Sequence, residues 1–298
     1  MRGMGGLQSA VSSGMGHATV FLGSDTLPII SSLRNYYNAE GFVISSVNAT
    51  EHSVMCAGTK DDEIGTFRQL MKTYPTGILS VVSDTWDLWK VLTVYLPQLK
   101  EEVLTRNGKL VIRPDSGDPV AIICGETKTL KGETPKDKGV VELLWDLFGG
   151  TINAQGFKVL DTHIGAIYGD SITTERAEEI CKRLHDKGFA TTNVVLGIGS
   201  FTYQFNTRDT FGFAMKATSV VVNGVRREIF KDPITDDGIK KSAKGLIKVD
   251  ILNNEYVLVD QVTPEQENEG ALQVIYENGQ FKNQTSLQEI RNQINKTL

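Results

Sequence analysis

Cysteine is scarce in this chain. Three thiols, Cys56, Cys124 and Cys181, stand far apart among 298 residues. Their spacing matches neither a zinc site nor a disulfide framework, and reduced thiols fit a cytoplasmic setting. Long apolar runs are missing as well: none approaches the roughly 18 residues of a membrane span. The stretch MRGMGGLQSAVSSGMGHATV lacks the apolar centre of a signal peptide. It is rich in Gly and Ser and reads as the interior of something longer, not as a domain start. Positive charge is not in excess, since 31 Lys and Arg against 36 Asp and Glu leave −5. That balance argues against a surface that coats nucleic acid and against an anionic membrane partner. Small anions stay open, because they need only a local pocket. Histidine is also rare: His17, His52, His163 and His185.

What is present is an ordinary globular balance, 40% hydrophobic and 22% charged, with enough chain for one large domain or two medium ones. Over the first two-thirds, short apolar runs alternate with amphipathic segments. ATVFLG (18–23), GFVISSV (41–47), GILSVVSD (77–84), KLVIRPD (109–115), FKVLD, AIYGD and TTNVVLGIGS read as strands. DDEIGTFRQLMKTY and SITTERAEEICKRLHDKGF read as helices, the second capped by Ser171 and ended by Gly188. Continuous apolar strands alternating with helices imply a parallel sheet covered by helices, in a barrel or a doubly wound sheet. The last third changes character. Asn223-Gly224, Asn253-Asn254 and Asn278-Gly279 separate alternating strands, and Ser286 to Glu289 forms a capping box before a closing helix. The expected fold class is α/β: an incomplete parallel α/β barrel over 1–212, followed by a mainly antiparallel β unit with a C-terminal helix over 213–298.

Polar residues gather just after the strands, at the carboxyl edge of the sheet where sites are built. In KLVIRPDSGDPV a core strand ends in Arg113, Asp115 and Gly117. A guanidinium fork suits phosphate, Asp115 can accept from sugar hydroxyls, and Gly117 lets the backbone come close. The alternative is a plain turn held by an Arg–Asp ion pair. Gly169 and Asp170 precede a helix whose first turn can receive a phosphate, or Asp170 is simply a cap. Gly197, Gly199 and Arg208 form a third, weaker phosphate candidate, short of a dinucleotide fingerprint. His52 follows a strand beside Glu51. It is either structural or, facing the pocket of Arg113 and Asp115, a proton or phosphoryl acceptor.

GSDT (23–26), EHS (51–53), SVVSD (80–84), IRPDSG (112–117), YGD (168–170), TRD (207–209) and FKDP (230–233) together resemble the nicotinamide phosphoribosyltransferases, a type II phosphoribosyltransferase family. The resemblance runs over nearly the whole chain. It implies transfer of a phosphoribosyl group from phosphoribosyl pyrophosphate to nicotinamide, giving nicotinamide mononucleotide and pyrophosphate in NAD biosynthesis. Mg²⁺ and ATP are the implied cofactor and co-substrate, and the implied assembly is a homodimer with sites at the subunit interface. On this resemblance His52 is the phosphorylated histidine, oriented by Glu51, and acts with Arg113 and Asp115. Asp25 holds the nicotinamide carboxamide and disfavours nicotinate. Arg2, Ser80, Asp84, Arg113, Asp115, Gly169, Asp170, Gly199, Ser200, Arg208, Lys216 and Lys231 fall at substrate-binding positions, and no side chain is assigned as a direct metal ligand. Two departures stand out. Ser200 replaces a family glycine, and the family's amino-terminal portion has no counterpart here. The chain therefore resembles the carboxyl-terminal portion of such an enzyme. A non-catalytic remnant, one half of a split enzyme that associates with the missing segment, and a nicotinate-specific relative are the alternatives.

Overall fold

The computed structural model describes residues 3–126, 134–204, 210, 215–231, 242–284, 293 and 296. Two compact units divide the chain. One comprises Met1–Ala217 with Phe230–Ser242, the other Thr218–Ile229 with Ala243–Leu298.

The first unit is built on a five-stranded parallel sheet. Its strands are β1 (Asn48–Ala49), β2 (Thr76–Val82), β3 (Asn107–Arg113), β6 (Ile164–Tyr168) and β7 (Val194–Leu196), neighbours in that order. A short antiparallel pair, β4 (Gly150–Ile152) and β5 (Lys158–Leu160), stands outside it. Between consecutive sheet strands run α3 (His52–Gly58) and α4 (Glu63–Thr73), then α5 (Leu88–Lys90), a π turn (Val91–Tyr95) and α6 (Leu96–Leu104). The helices α7 (Pro119–Cys124), α8 (Pro135–Phe148) and α9 (Thr174–Asp186) follow. Chain-sequential parallel strands with right-handed crossovers place every connecting helix on one face. The apolar core has that form: Leu79, Val81, Leu110, Ile112, Ile164 and Ala166 pack with Phe67, Leu99, Val140 and Ile180. A doubly wound sheet would reverse its order and cover both faces. This sheet does not reverse, in agreement with an incomplete barrel. On its other face Ile78 and Val195 are 44% and 58% exposed.

Two expected strands do not form. ATVFLG and GFVISSV exchange only a single parallel bridge, Gly23 with Ser45. The first helix, α1 (Leu7–Ala18), runs into the start of the former, and Val20, Phe21 and Leu22 are exposed with no strand alongside. Ile44 instead joins Ile29 and Leu33 of α2 (Ile29–Tyr37) in a small separate cluster. FKVLD forms β5 but pairs with β4, not with the main sheet. The cap of α9 is Thr173, whose hydroxyl accepts from the Arg176 amide; Ser171 sits outside the helix at φ 55°.

In the second unit the expected hairpins are present. They are β8 (Ser219–Val222) with β9 (Val225–Glu228), β10 (Ile247–Leu252) with β11 (Glu255–Asp260), and β12 (Tyr276–Glu277) with β13 (Gln280–Phe281). Their turn residues Asn223, Asn253, Asn254 and Asn278 all take positive φ, which asparagine tolerates. The capping box at Ser286 lies outside the described residues.

A buried cation fastens the helical layer. Lys187, at the end of α9, donates to the carbonyls of Cys124 (2.7 Å) and Lys138 (3.1 Å) and to Glu142 Oε2 (2.9 Å). It ties the last turn of α7 to the start of α8, where Gly125 and Gly139 meet backbone to backbone at positive φ. A Cβ on either glycine would fall within 2.2 Å of the opposite main chain. Truncating one partner of a buried pair strands the other. Lys187→Ala should therefore lower the unfolding free energy by about 3–5 kcal/mol, measured by urea denaturation. Adding Glu142→Leu should recover only part of that loss, because the Cys124 and Lys138 carbonyls stay without their donor.

Candidate active site

The site is assembled where β2 and β3 end. These strands pair in parallel over their full length, from Thr76 opposite Asn107 to Val82 opposite Arg113. At one end Arg106 fixes this register. Its guanidinium donates to the carbonyls of Tyr74, Thr76 and Gly77. At the other end Ser83 N–H donates to the Arg113 carbonyl, and Asp115 N–H donates to Asp84 Oδ2 at 2.8 Å. Asp84 is buried, and its second oxygen, Oδ1, has no hydrogen-bond donor.

His52 opens α3 directly after β1 and faces these carboxylates. Its Nε2 lies 3.9 Å from Asp84 Oδ1, 3.6 Å from Asp115 Oδ2 and 3.4 Å from Lys231 Nζ. Its Nδ1 lies 3.0 Å from Thr85 Oγ1. An ammonium group has no lone pair, so a hydrogen bond from Lys231 requires Nε2 to accept. In that tautomer neutral His52 carries its proton on Nδ1, donates to Thr85 and presents the Nε2 lone pair to the cleft; the opposite tautomer turns Nε2–H toward the two carboxylates. Thr85 performs the orientation that the sequence had assigned to Glu51, which is exposed.

Arg113 joins the group through the backbone. Its Nη2 donates to the Thr50 carbonyl at 2.6 Å, and the Thr50 hydroxyl accepts from the Val82 amide. Tyr168, at the end of β6, donates to the Gly117 carbonyl at 2.9 Å. Burial pushes its phenol far up, and the negative charges of Asp170, Asp84, Asp115 and Asp118 push the same way. Ser171 Oγ donates to Asp170 Oδ2. Gly169 and Gly197 bring the ends of β6 and β7 together: a Cβ on Gly197 would lie 2.7 Å from the Gly169 Cα.

The remaining candidates have the following surroundings. Asp25 is exposed and accepts from Ser46 Oγ, on the β1 side of the sheet. Ser80 is buried in β2, opposite Val111, with its hydroxyl unpartnered. Gly199 and the half-buried Ser200 lead into α10 (Ser200–Gln204), and Lys216 is exposed. Arg2 and Arg208 lie outside the described residues. Sequence reasoning missed Thr50 and Thr85. Both adjoin quoted motifs, EHS and SVVSD, and only the fold shows that their oxygens serve the histidine and the arginine.

A further buried carboxyl belongs to Glu63, in the first turn of α4. It is 2% exposed and its Oε1 has no donor. Burial pushes its carboxyl up to about 7; Asp87 and Asp84 act in the same direction, Lys90 and Lys60 against it. An unfolded glutamate ionises near 4.3. Between about pH 4.5 and 7 the unfolded chain therefore loses a proton that the folded chain keeps, and stability falls as pH rises through that window. Glu63→Gln should match the parent near pH 4 and exceed it above pH 7, by at most on the order of 3 kcal/mol, in urea midpoints taken across this range.

The model of the "Nicotinate phosphoribosyltransferase (NAPRTase) family" matches residues 1–294. A curated relative named nicotinamide phosphoribosyltransferase, from Acinetobacter baylyi, is 52% identical over 98% of this chain and 59% of its own length. One of the same name from Mycoplasma pneumoniae is 42% identical over 79% of this chain and 50% of its own. A third, from Xanthomonas campestris pv. campestris, is 33% identical over 97% and 60%. The chain thus spans about half to three-fifths of the length of these curated relatives. With the strand-end cluster and a match over almost every residue, the chain belongs to the nicotinate phosphoribosyltransferase family.

Proposed function

We propose that this chain carries the phosphoribosyl-transfer site of a nicotinamide phosphoribosyltransferase. The reaction joins nicotinamide to the anomeric carbon of phosphoribosyl pyrophosphate and releases nicotinamide mononucleotide and pyrophosphate, a step of NAD biosynthesis. ATP is the co-substrate that drives it through phosphorylation of His52. The observation that carries this reading is the seat of His52. Its Nε2 faces Lys231 and two carboxylates, while its Nδ1 lies against Thr85 Oγ1. In the phosphoryl step Nε2 attacks the terminal phosphorus of ATP, the N–P bond forms and ADP departs. The positive charge left on the ring is countered by Asp84 and Asp115. In the glycosyl step Arg113 and Lys231 stabilise the departing pyrophosphate.

Mg²⁺ suits this donor set. Among the described residues there is no group of three or more His, Cys, Asp or Glu able to hold a metal alone. The buried, donor-free Oδ1 of Asp84 and the carboxylate of Asp115 are the hard oxygens available. That fits a cation that takes one or two carboxylates and otherwise arrives with phosphates. Bound there, it supplies charge neutralisation for the pyrophosphate.

Asp25 supports nicotinamide over nicotinate, because an amide NH₂ can donate to a carboxylate that would repel a second one. A homodimer is the expected assembly, supported by Ile78 and Val195 on the uncovered sheet face. No helix among the described residues is long and apolar enough to cross a membrane, and with three free thiols a cytoplasmic location is part of the same reading.

Incubation with Mg²⁺ and ATP should leave acid-labile phosphate on the chain, and His52→Ala should abolish it without changing the circular dichroism. Folded parent chain that takes no label contradicts the phosphohistidine. In competition, nicotinamide should be preferred to nicotinate. Asp25→Asn should narrow that preference by about tenfold, or ~1.4 kcal/mol; equal use of both bases by the parent removes Asp25 as the selector.

A further inference from the structure

Lys231 reaches His52 from 179 residues away in sequence, so something must hold it there. Phe230 and Lys231 leave the second unit and return to the first, where the main chain of Lys231 is tied to Ser242. The Lys231 amide donates to Ser242 Oγ at 3.1 Å, and the Ser242 amide reaches the Lys231 carbonyl at 3.4 Å. The preceding residue is fixed more specifically. The Phe230 carbonyl accepts from the buried thiol of Cys56, and the Phe230 ring meets Trp86 edge to face with centroids 4.9 Å apart.

These two contacts are coupled to the histidine by chain geometry. Cys56 lies four residues after His52 on α3, one helical turn along the same face. Helix α3 thus offers an imidazole and a thiol to two consecutive residues, Lys231 and Phe230. Trp86 directly follows Thr85, which holds His52 Nδ1, and Asp84, which faces Nε2. The run 84–86 therefore acts on the ring and on the segment that brings its cation. We propose that Cys56 and Trp86 are positioning residues for the reaction advanced above: together they seat Phe230, and this sets Lys231 Nζ against His52 Nε2 and selects the Nδ1–H form of the ring. The inference rests on the reading of His52 as phosphoryl acceptor only for its kinetic consequence, since the tautomer is a property of the free protein.

The chemistry of the thiol is consistent with this role. Burial pushes Cys56 up to about 11, against the opposing effects of the Phe230 bond and Lys231. It stays an S–H donor at physiological pH and is a poor nucleophile. Removing it leaves the Phe230 carbonyl without that donor, and a displacement of about 1 Å at the reacting group is enough to slow a positioned reaction severely.

The test uses the chain with its histidines labelled with ¹⁵N, and Cys56→Ala, Cys56→Ser, Trp86→Leu and Lys231→Ala variants. The parent should show His52 with a lone-pair Nε2 and a protonated Nδ1. Lys231→Ala should shift the ring toward the Nε2–H form. Cys56→Ala and Trp86→Leu should shift it the same way and slow phosphate labelling from ATP by about tenfold or more. Cys56→Ser, which keeps a donor to Phe230, should return both readouts to within about twofold of the parent. A purely structural role for the thiol would lower the unfolding midpoint of Cys56→Ala but leave the tautomer unchanged, and that result overturns the proposal. So does a Lys231→Ala variant with the parent's tautomer. If the tautomers move as expected while no variant, nor the parent, accepts phosphate, the seat is upheld and the phosphoryl reading is the one that fails.

Discussion

The full-length parallel register of β2 on β3 is the constraint from which the site follows. Arg106 holds it at one end through three carbonyls. The bond from the Asp115 amide to Asp84 holds it at the other. Side chains along a strand alternate between faces, so a slip of one residue would send Asp84 and Arg113 to the wrong side. With the register fixed, two carboxylates and one guanidinium stand at a common edge before any ligand arrives. Helix α3 then needs only to begin at the right residue to face His52 toward them. This is preorganisation in a concrete form: the charges are placed by strands and not by loops.

The cost of such placement is visible in the interior. Among the described residues, Asp84 Oδ1, Ser80 Oγ, Ser116 Oγ, Glu63 Oε1, Trp86 Nε1 and Trp89 Nε1 are buried without hydrogen-bond partners. Unsatisfied buried polar atoms oppose folding. Three of these six residues, Ser80, Asp84 and Ser116, lie on or just beyond β2 and β3, the strands that build the site. The buried ammonium of Lys187, by contrast, is answered by Glu142 and by backbone carbonyls.

Much of this was legible in the sequence. Continuous apolar strands ending in Asp84 and Arg113 located the edge, and the motifs around His52, Asp115 and Lys231 located the participants. Asparagine-containing turns located the hairpins. Three features were not legible, each for a physical reason. ATVFLG and GFVISSV have strand composition, but a strand exists only through its neighbour, and here the neighbour is a single bridge. The caps of Ser171 and Thr173 compete locally, and a hydroxyl two residues further on won. Thr50 and Thr85 were invisible because their roles depend on contacts 63 and 33 residues away, which no local pattern encodes.

The long separation of Lys231 from His52 also orders events in time. A ribosome adds about 5–20 residues per second. The sheet strands as far as β3, with Asp84 and Asp115, are made soon after the imidazole. The ammonium follows the imidazole by 179 residues, a lag on the order of 10 to 40 s at that rate. During biosynthesis the ring thus meets its anions early and its cation late. On that schedule the carboxylates and the Arg113 guanidinium precede the Lys231 ammonium.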